Sequence, residues 1–268
     1  MMAAMRVTFL GTGTSHGIPM IGCDCAVCRS DNPRNKRLRP SIYVEYDSQS
    51  VLVDATPDFR TQALRANLRR VDAVLMTHTH ADHMFGLDDL RSFGVRMGRK
   101  MPVYGSPHSI ETIQRTFPYA CTETPAWPGL PSFELHVLQP HQDFDVGGLK
   151  LRVLPLLHGK MTVYGFLFGR DVAYVTDCNV VPAEVVAAIR GVTVLVLDAL
   201  RHRPHPSHLT IEQARALAEQ VNAKLTLFTH LCHEAEHEAV ERELPAQVRL
   251  AYDEMQIEVT GNEIRQIA

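Results

Sequence analysis

Long apolar runs are missing from this 268-residue chain. The longest, such as Val192 to Leu197, fall far short of the ~20 residues needed to span a bilayer. Met1 to Thr12 has no positive n-region, no full apolar h-region and no small-residue cleavage site, so no secretory signal is expected. A charge excess is also missing. The 27 Lys+Arg against 30 Asp+Glu leave a net charge of −3, which is not the balance of a general polyanion binder. The most basic stretch, Arg29, Arg34, Lys36, Arg37 and Arg39, reads as a solvated loop. Low-complexity tracts and linkers are absent, and 45% hydrophobic with 21% charged residues is an ordinary globular balance. The expectation is one soluble, cytoplasmic domain over residues 1–268, with no membrane partner and no nucleic-acid partner. A disulfide framework is not expected of six cysteines in a chain without an export signal.

Short apolar runs alternate with helical patterns along the whole length, which predicts a layered α/β protein. Predicted strands are Arg6–Leu10, Ile42–Tyr46, Val51–Asp54, Ala73–Thr77, Val103–Tyr104, Leu149–Leu154, Tyr164–Phe168, Val172–Thr176, Val192–Asp198, Leu225–Thr229 and Gln256–Val259. Thr210-Ile-Glu-Gln213 fits a capping box, behind which Ile211, Ala214, Leu217, Ala218 and Val221 fall on one face. Pro182 suits a first helical position. A helix is expected from His83 to about Val95, and a long surface loop at Pro125–Pro131.

Polar residues recur at the carboxyl ends of these strands. Asp54, Asp177 and Asp198 close or follow three of them, and His78, His80 and His230 follow two more. In α/β sheets that edge is where rigid strands aim side chains into one crevice. Histidine is abundant, at 14 residues, and part of it is clustered in Thr77-His78-Thr79-His80-Ala81-Asp82-His83. In an extended segment His78 and His80 point to one side and can share a metal ion. Asp82 and His83, at the turn into a helix, can face a second. Such a mixed N/O set suits Zn²⁺, Mn²⁺ or iron.

His-x-His-x-Asp-His after an apolar strand resembles the signature of the metallo-β-lactamase superfamily, which implies an αββα sandwich and a metal-dependent hydrolase. Later motifs follow in the order that family has: His158 in Leu156-Leu-His-Gly-Lys160, Asp177 in Tyr174-Val-Thr-Asp177, and His230 in Phe228-Thr-His230. The resemblance implies that His78, His80 and His158 hold one active-site metal ion and Asp82, His83 and His230 a second, with Asp177 bridging them. It also implies that Asp54 accepts an N–H from a ligand histidine and fixes its tautomer. Asp198 takes a similar supporting role.

Cys23-Asp-Cys25-Ala-Val-Cys28 places three thiols where they can share one ion. A structural zinc site wants a fourth ligand and no open position. His233 is the expected fourth, with Cys232 the alternative. Together with Gly11-Thr-Gly-Thr-Ser-His-Gly17 and Thr229-His-Leu-Cys-His233, this loop at residues 22–29 is similar to that of PhnP-type phosphodiesterases, which act on phosphoribosyl 1,2-cyclic phosphate. The resemblance implies a small phosphodiester substrate, two divalent ions (Mn²⁺ or Zn²⁺), one structural Zn²⁺ and a homodimer. Asp82 and His208 are the expected catalytic residues. His208 is the proton donor to the leaving group by resemblance, with His205 and His202 as alternatives. A tRNA 3′-processing nuclease and a thioester or lactone hydrolase remain as other readings of the same motifs.

Overall fold

The computed structural model describes residues 4–123 and 129–267. The loop expected at Pro125–Pro131 therefore falls largely outside the described residues. Strands, numbered in chain order, form two sheets. The first runs in the order β15 (Glu263–Gln266), β14 (Gln256–Thr260), β1 (Met5–Gly11), β2 (Ser41–Tyr46), β3 (Gln49–Val53), β4 (Ala73–Leu75), β5 (Met101–Gly105) and β6 (Phe133–Val137). The second runs β13 (Val248–Leu250), β12 (Leu225–Thr229), β11 (Val194–Asp198), β10 (Val172–Val175), β9 (Met161–Phe168), β8 (Leu149–His158) and β7 (Asp143–Val146). Each sheet joins an antiparallel half to a parallel half. Pairing is parallel from β3 to β6 and from β10 to β13.

The strands that read as unbroken apolar runs are buried on both faces. Val51 and Val53 of β3 enter the core between the sheets, while Leu52 faces the outer helices of the first sheet. On β11, Val194 and Val196 face the first sheet, while Leu195 and Leu197 meet the outer helices of the second. This period-2 division of one run between two cores is what a covered parallel sheet requires. Each such side chain contributes about 1.5–3 kcal/mol by leaving water. The layers are therefore helix, sheet, sheet, helix, as expected.

The helix at Ile211–Val221 keeps its expected cap. Gln213 N–H donates to Thr210 Oγ1 at 3.1 Å, and Thr210 N–H donates back to Gln213 Oε1 at 2.9 Å. Two expected helix starts shift. Pro182 is extended and sits just outside a helix that spans Ala183–Ile189. The single helix expected from His83 is broken into Ala81–Met84, a 3₁₀ turn at Leu87–Leu90 and a helix at Arg91–Met97. Gly86 explains the break. Its N–H donates to Ala55 O at 2.8 Å, and a Cβ there would collide with the Thr56 carbonyl. The chain leaves helical geometry to press its backbone against the segment that follows β3. Four strands were not anticipated, β6, β7, β13 and β15. All are short, and β6, β7, β13 and β15 occupy or adjoin sheet edges, where polar residues interrupt the apolar signal.

The basic stretch is also more internal than expected. Arg37 is 1% exposed and donates to the carbonyls of Cys232 and Ala235, at 3.2 and 2.9 Å. Lys36 donates to Cys28 O, and Arg39 pairs with Asp58. Among the described residues no helix is long and apolar enough to cross a membrane.

Because Gly86 docks the metal-motif turn on the sheet, Gly86→Ala should lower the unfolding free energy by about 1–3 kcal/mol. Urea denaturation measures this directly. An unchanged midpoint would mean the turn can relax without cost.

Candidate metal centre

The site is built where strands end. Asp54 follows β3, the His78 segment follows β4, His158 is the last residue of β8, Asp177 follows β10, Asp198 ends β11 and His230 follows β12. Three of these residues hold left-handed backbone, with φ of 60° at Asp54, 58° at Asp177 and 61° at His230. For residues other than glycine that conformation costs roughly 1–3 kcal/mol each and persists only where the surroundings enforce it. It turns each side chain sharply off its strand into one buried cluster.

Asp177 lies at the centre. Its Oδ2 is 3.2 Å from His78 Nε2 and 2.7 Å from His83 Nε2. Its Oδ1 is 3.4 Å from His158 Nδ1, 3.1 Å from His208 Nδ1 and 3.7 Å from His230 Nε2. Three sets of ligand-type atoms share this carboxylate, each set within 4.8 Å. One is His78, His80, His158 and Asp177; a second is Asp82, His83, Asp177 and His230; the third is Asp177, Asp198, His208 and His230. The structure thus brings together the seven residues named from the sequence.

The tautomers follow from the partners. His158 Nδ1–H donates to Ser207 O at 2.9 Å, which leaves Nε2 as the free lone pair. His83 Nδ1–H donates to Asp54 Oδ2 at 2.7 Å, and Nε2 faces Asp82 and Asp177. Asp54 is fixed in turn by Thr77, whose N–H and Oγ1–H donate to it at 2.8 and 2.7 Å. Thr77 Oγ1 also lies 3.0 Å from His78 Nδ1. The sequence reading did not single out Thr77. Its position next to His78 at the strand end was the available signal.

Both ring nitrogens of His230 are buried without a hydrogen bond, as is Asp177 Oδ1 despite its imidazole neighbours. Buried polar atoms are rarely left so, because each costs about 1–3 kcal/mol. Cations held at this cluster would satisfy them. Burial pushes the Asp177 carboxyl up, but the imidazoles of His230, His78 and His83 outweigh it and hold it well below the usual range. Burial, then His83, holds His78 far below its ordinary value. Asp82 stays ionised despite burial, because His83 and His230 lower it.

His208 is buried and stands beside the cluster, with its Nδ1 2.9 Å from Asp198 Oδ2. That same carboxylate oxygen receives Cys178 N–H at 2.8 Å. Asp198 therefore supports His208 rather than any of the seven residues above. Burial opposes charge on His208, but Asp198 and then Asp177 win and raise its pKa. His205 packs against His208, with ring centroids 4.8 Å apart. His202 is drawn away to Glu212 on the surface, 2.6 Å distant, and does not reach the cluster.

A second group forms where the loop at Cys23–Cys28 meets the segment after β12. His233 Nδ1 lies 3.1, 3.6 and 3.8 Å from the sulfurs of Cys23, Cys25 and Cys28. Cys28 N–H donates to Cys25 Sγ and helps lower that thiol to about 7. Cys28 itself is pushed up to about 11 by burial. Cys232 is outside the group and accepts Glu234 N–H instead. Between the two candidate fourth ligands, the geometry favours His233. A larger cavity of about 620 Å³, near Arg170 and Arg190, contains none of these residues.

Residues 49–231 match the family model described as the beta-lactamase superfamily domain. Among solved structures, a diphosphatase from the PhnP family has a TM-score of 0.90 at 41% identity, covering 97% of this chain and 98% of that one. An octanoyltransferase of Porphyromonas gingivalis is 36% identical over 264 residues, 97% of this chain and 53% of that protein. A ribonuclease Z of Bradyrhizobium diazoefficiens is 29% identical over 168 residues, 60% of this chain and 49% of that protein. The chain spans about half the length of these curated relatives.

The Asp54–His83 bond sets which nitrogen of His83 faces Asp177. Asp54→Asn should weaken metal retention about 10- to 100-fold while the fold persists. Competition against a chromogenic chelator, with circular dichroism as control, checks this. Wild-type affinity would mean the imidazole is oriented without Asp54.

Proposed function

This chain belongs to the beta-lactamase superfamily, whose fold and site chemistry are those of metal-dependent hydrolases, and from that premise we propose that it hydrolyses a small phosphodiester. The observation that carries the reading is the sharing of Asp177 by ligand-type sets, with the His208–Asp198 pair alongside. On this reading His78, His80 and His158 would hold one divalent ion and Asp82, His83 and His230 a second, with Asp177 available to both. Zn²⁺ or Mn²⁺ suits this donor set. Cys23, Cys25, Cys28 and His233 hold a separate zinc whose closed ligand set serves stability. The chemistry a pair of such ions supplies is activation of water and neutralisation of charge on phosphoryl oxygens.

The chain's own residues do the rest. Asp82 stays ionised and can accept a proton from the attacking water. His208 keeps its proton to a higher pH than an ordinary histidine, because Asp198 holds Nδ1–H. Its Nε2 has no protein partner among the described residues and can give a proton to the departing oxygen. Such a donor is worth roughly 10²–10⁴ in rate. Asp54 and Ser207 O fix His83 and His158 so that neither ring must reorient during turnover.

A cyclic phosphodiester, of the kind phosphoribosyl 1,2-cyclic phosphate represents, is the substrate class that the motif resemblance supports. Cleavage of a diphosphate link is a second reading, favoured by the description of the PhnP-family neighbour as a diphosphatase. The octanoyltransferase name carries no weight for this site, since nearly half of that protein lies outside the match.

Turnover of bis(p-nitrophenyl) phosphate should vanish on chelation and return with Zn²⁺ or Mn²⁺. His208→Ala should slow esters with alkoxide leaving groups by about 10²-fold or more, and p-nitrophenyl esters far less, with metal content unchanged. Full activity in metal-stripped protein, or equal slowing of both ester types, would contradict the reading.

A further inference from the structure

Beside His208 lies a cavity of about 220 Å³ between the loop at Thr14–Gly17 and the segment Leu200–His208. The ring of His208 touches both sides. It packs against His158 and His230 of the cluster, at centroid distances of 4.8 and 4.7 Å, and it also forms part of the cavity wall. A proton donor between the phosphoryl site and a cavity implies that the cavity receives what departs. We propose that this cavity is the leaving-group subsite, that it selects a small, hydroxylated group, and that His205 is its specificity-determining residue. The proposal rests on the phosphodiesterase reading above.

The size limits the occupant. The volume lies below the roughly 300–1,000 Å³ of pockets that enclose drug-sized ligands, so it fits a short polyol better than a nucleoside. The lining sets the chemistry. Ser15, His16 and His205 offer hydrogen bonds, while Met20 and Leu200 supply an apolar floor. No Phe, Tyr or Trp is among the lining residues. The one guanidinium in the wall is held in place: Arg201 pairs with Glu234 Oε1 at 2.9 Å and donates two further N–H groups to the carbonyls of Arg203 and Pro204, at 3.2 and 3.4 Å, which leaves two of its five N–H groups for an occupant's oxygens.

His205 is held for this task. Its Nδ1 is tied to Ser207, 3.3 Å from the backbone N and 3.2 Å from Oγ, which leaves Nε2 as the ring nitrogen available to an occupant. A hydroxyl bonded there would sit within reach of the oxygen that His208 protonates.

The test compares glycerol 1,2-cyclic phosphate, uridine 2′,3′-cyclic phosphate and dimethyl diphosphate, with bis(p-nitrophenyl) phosphate as reference, in the metal-loaded protein. The glycerol ester should show kcat/KM about tenfold or more above the other two. His205→Ala should lower that preference about tenfold, chiefly through KM, a loss the size of one hydrogen bond. His205→Asn, which keeps a donor, should restore part of it, and circular dichroism reports whether each variant folds. Equal kcat/KM across the three, a preference for uridine or diphosphate, or an unchanged preference in His205→Ala would overturn the proposal while the phosphodiesterase reading stands. Failure to cleave even the reference ester would overturn both.

Discussion

Asp177 is a carboxylate at 2% exposure, set between the imidazoles of His78, His83, His158, His208 and His230. Removing one such charge from water costs several kcal/mol unless it is matched by opposite charge. Much of the architecture follows from that requirement. Strands of both sheets must end at the same edge, and the chain must turn through left-handed backbone at Asp54, Asp177 and His230 to bring the side chains inward. Asp54, Thr77, Ser207 O and Asp198 then hold the surrounding rings in single orientations. The two apolar outer cores and the one between the sheets supply the rigidity that keeps this strained edge in place.

The two metal-type groups are joined by a short lever. His230 belongs to the buried cluster and His233, three residues on, to the cysteine group. Arg37 clamps this segment by donating to the carbonyls of Cys232 and Ala235, and Asp253 secures the nearby loop through Thr12 and Leu38. The cysteine loop thereby abuts the segment that carries His230.

The clustering of His78, His80, Asp82, His83, His158, Asp177 and His230 was legible because these residues follow apolar strands at fixed spacing, and that pattern survives in one dimension. The doubly buried strands were legible for a related reason, since a run such as Val194–Leu197 has no solvated face to interrupt it. What failed to show were interactions whose partners are backbone atoms or distant in sequence. Arg37 looked like one charge in a solvated run because Cys232 O and Ala235 O lie almost 200 residues away. The break at Gly86 depends on the Thr56 carbonyl, which helical periodicity cannot register. His202 and His208 have the same residue type and the same loop, and only burial beside Asp198 separates them. The edge strands β7 and β15 carry too many polar residues to stand out from turns.

Anomalous diffraction at the zinc edge, on crystals grown with Zn²⁺, tests the central claim most directly. The account predicts two peaks flanking Asp177, one with His78, His80 and His158 and the other with Asp82, His83 and His230. A third peak should lie among Cys23, Cys25, Cys28 and His233. A single ion at Asp177, or no ion there, would contradict it.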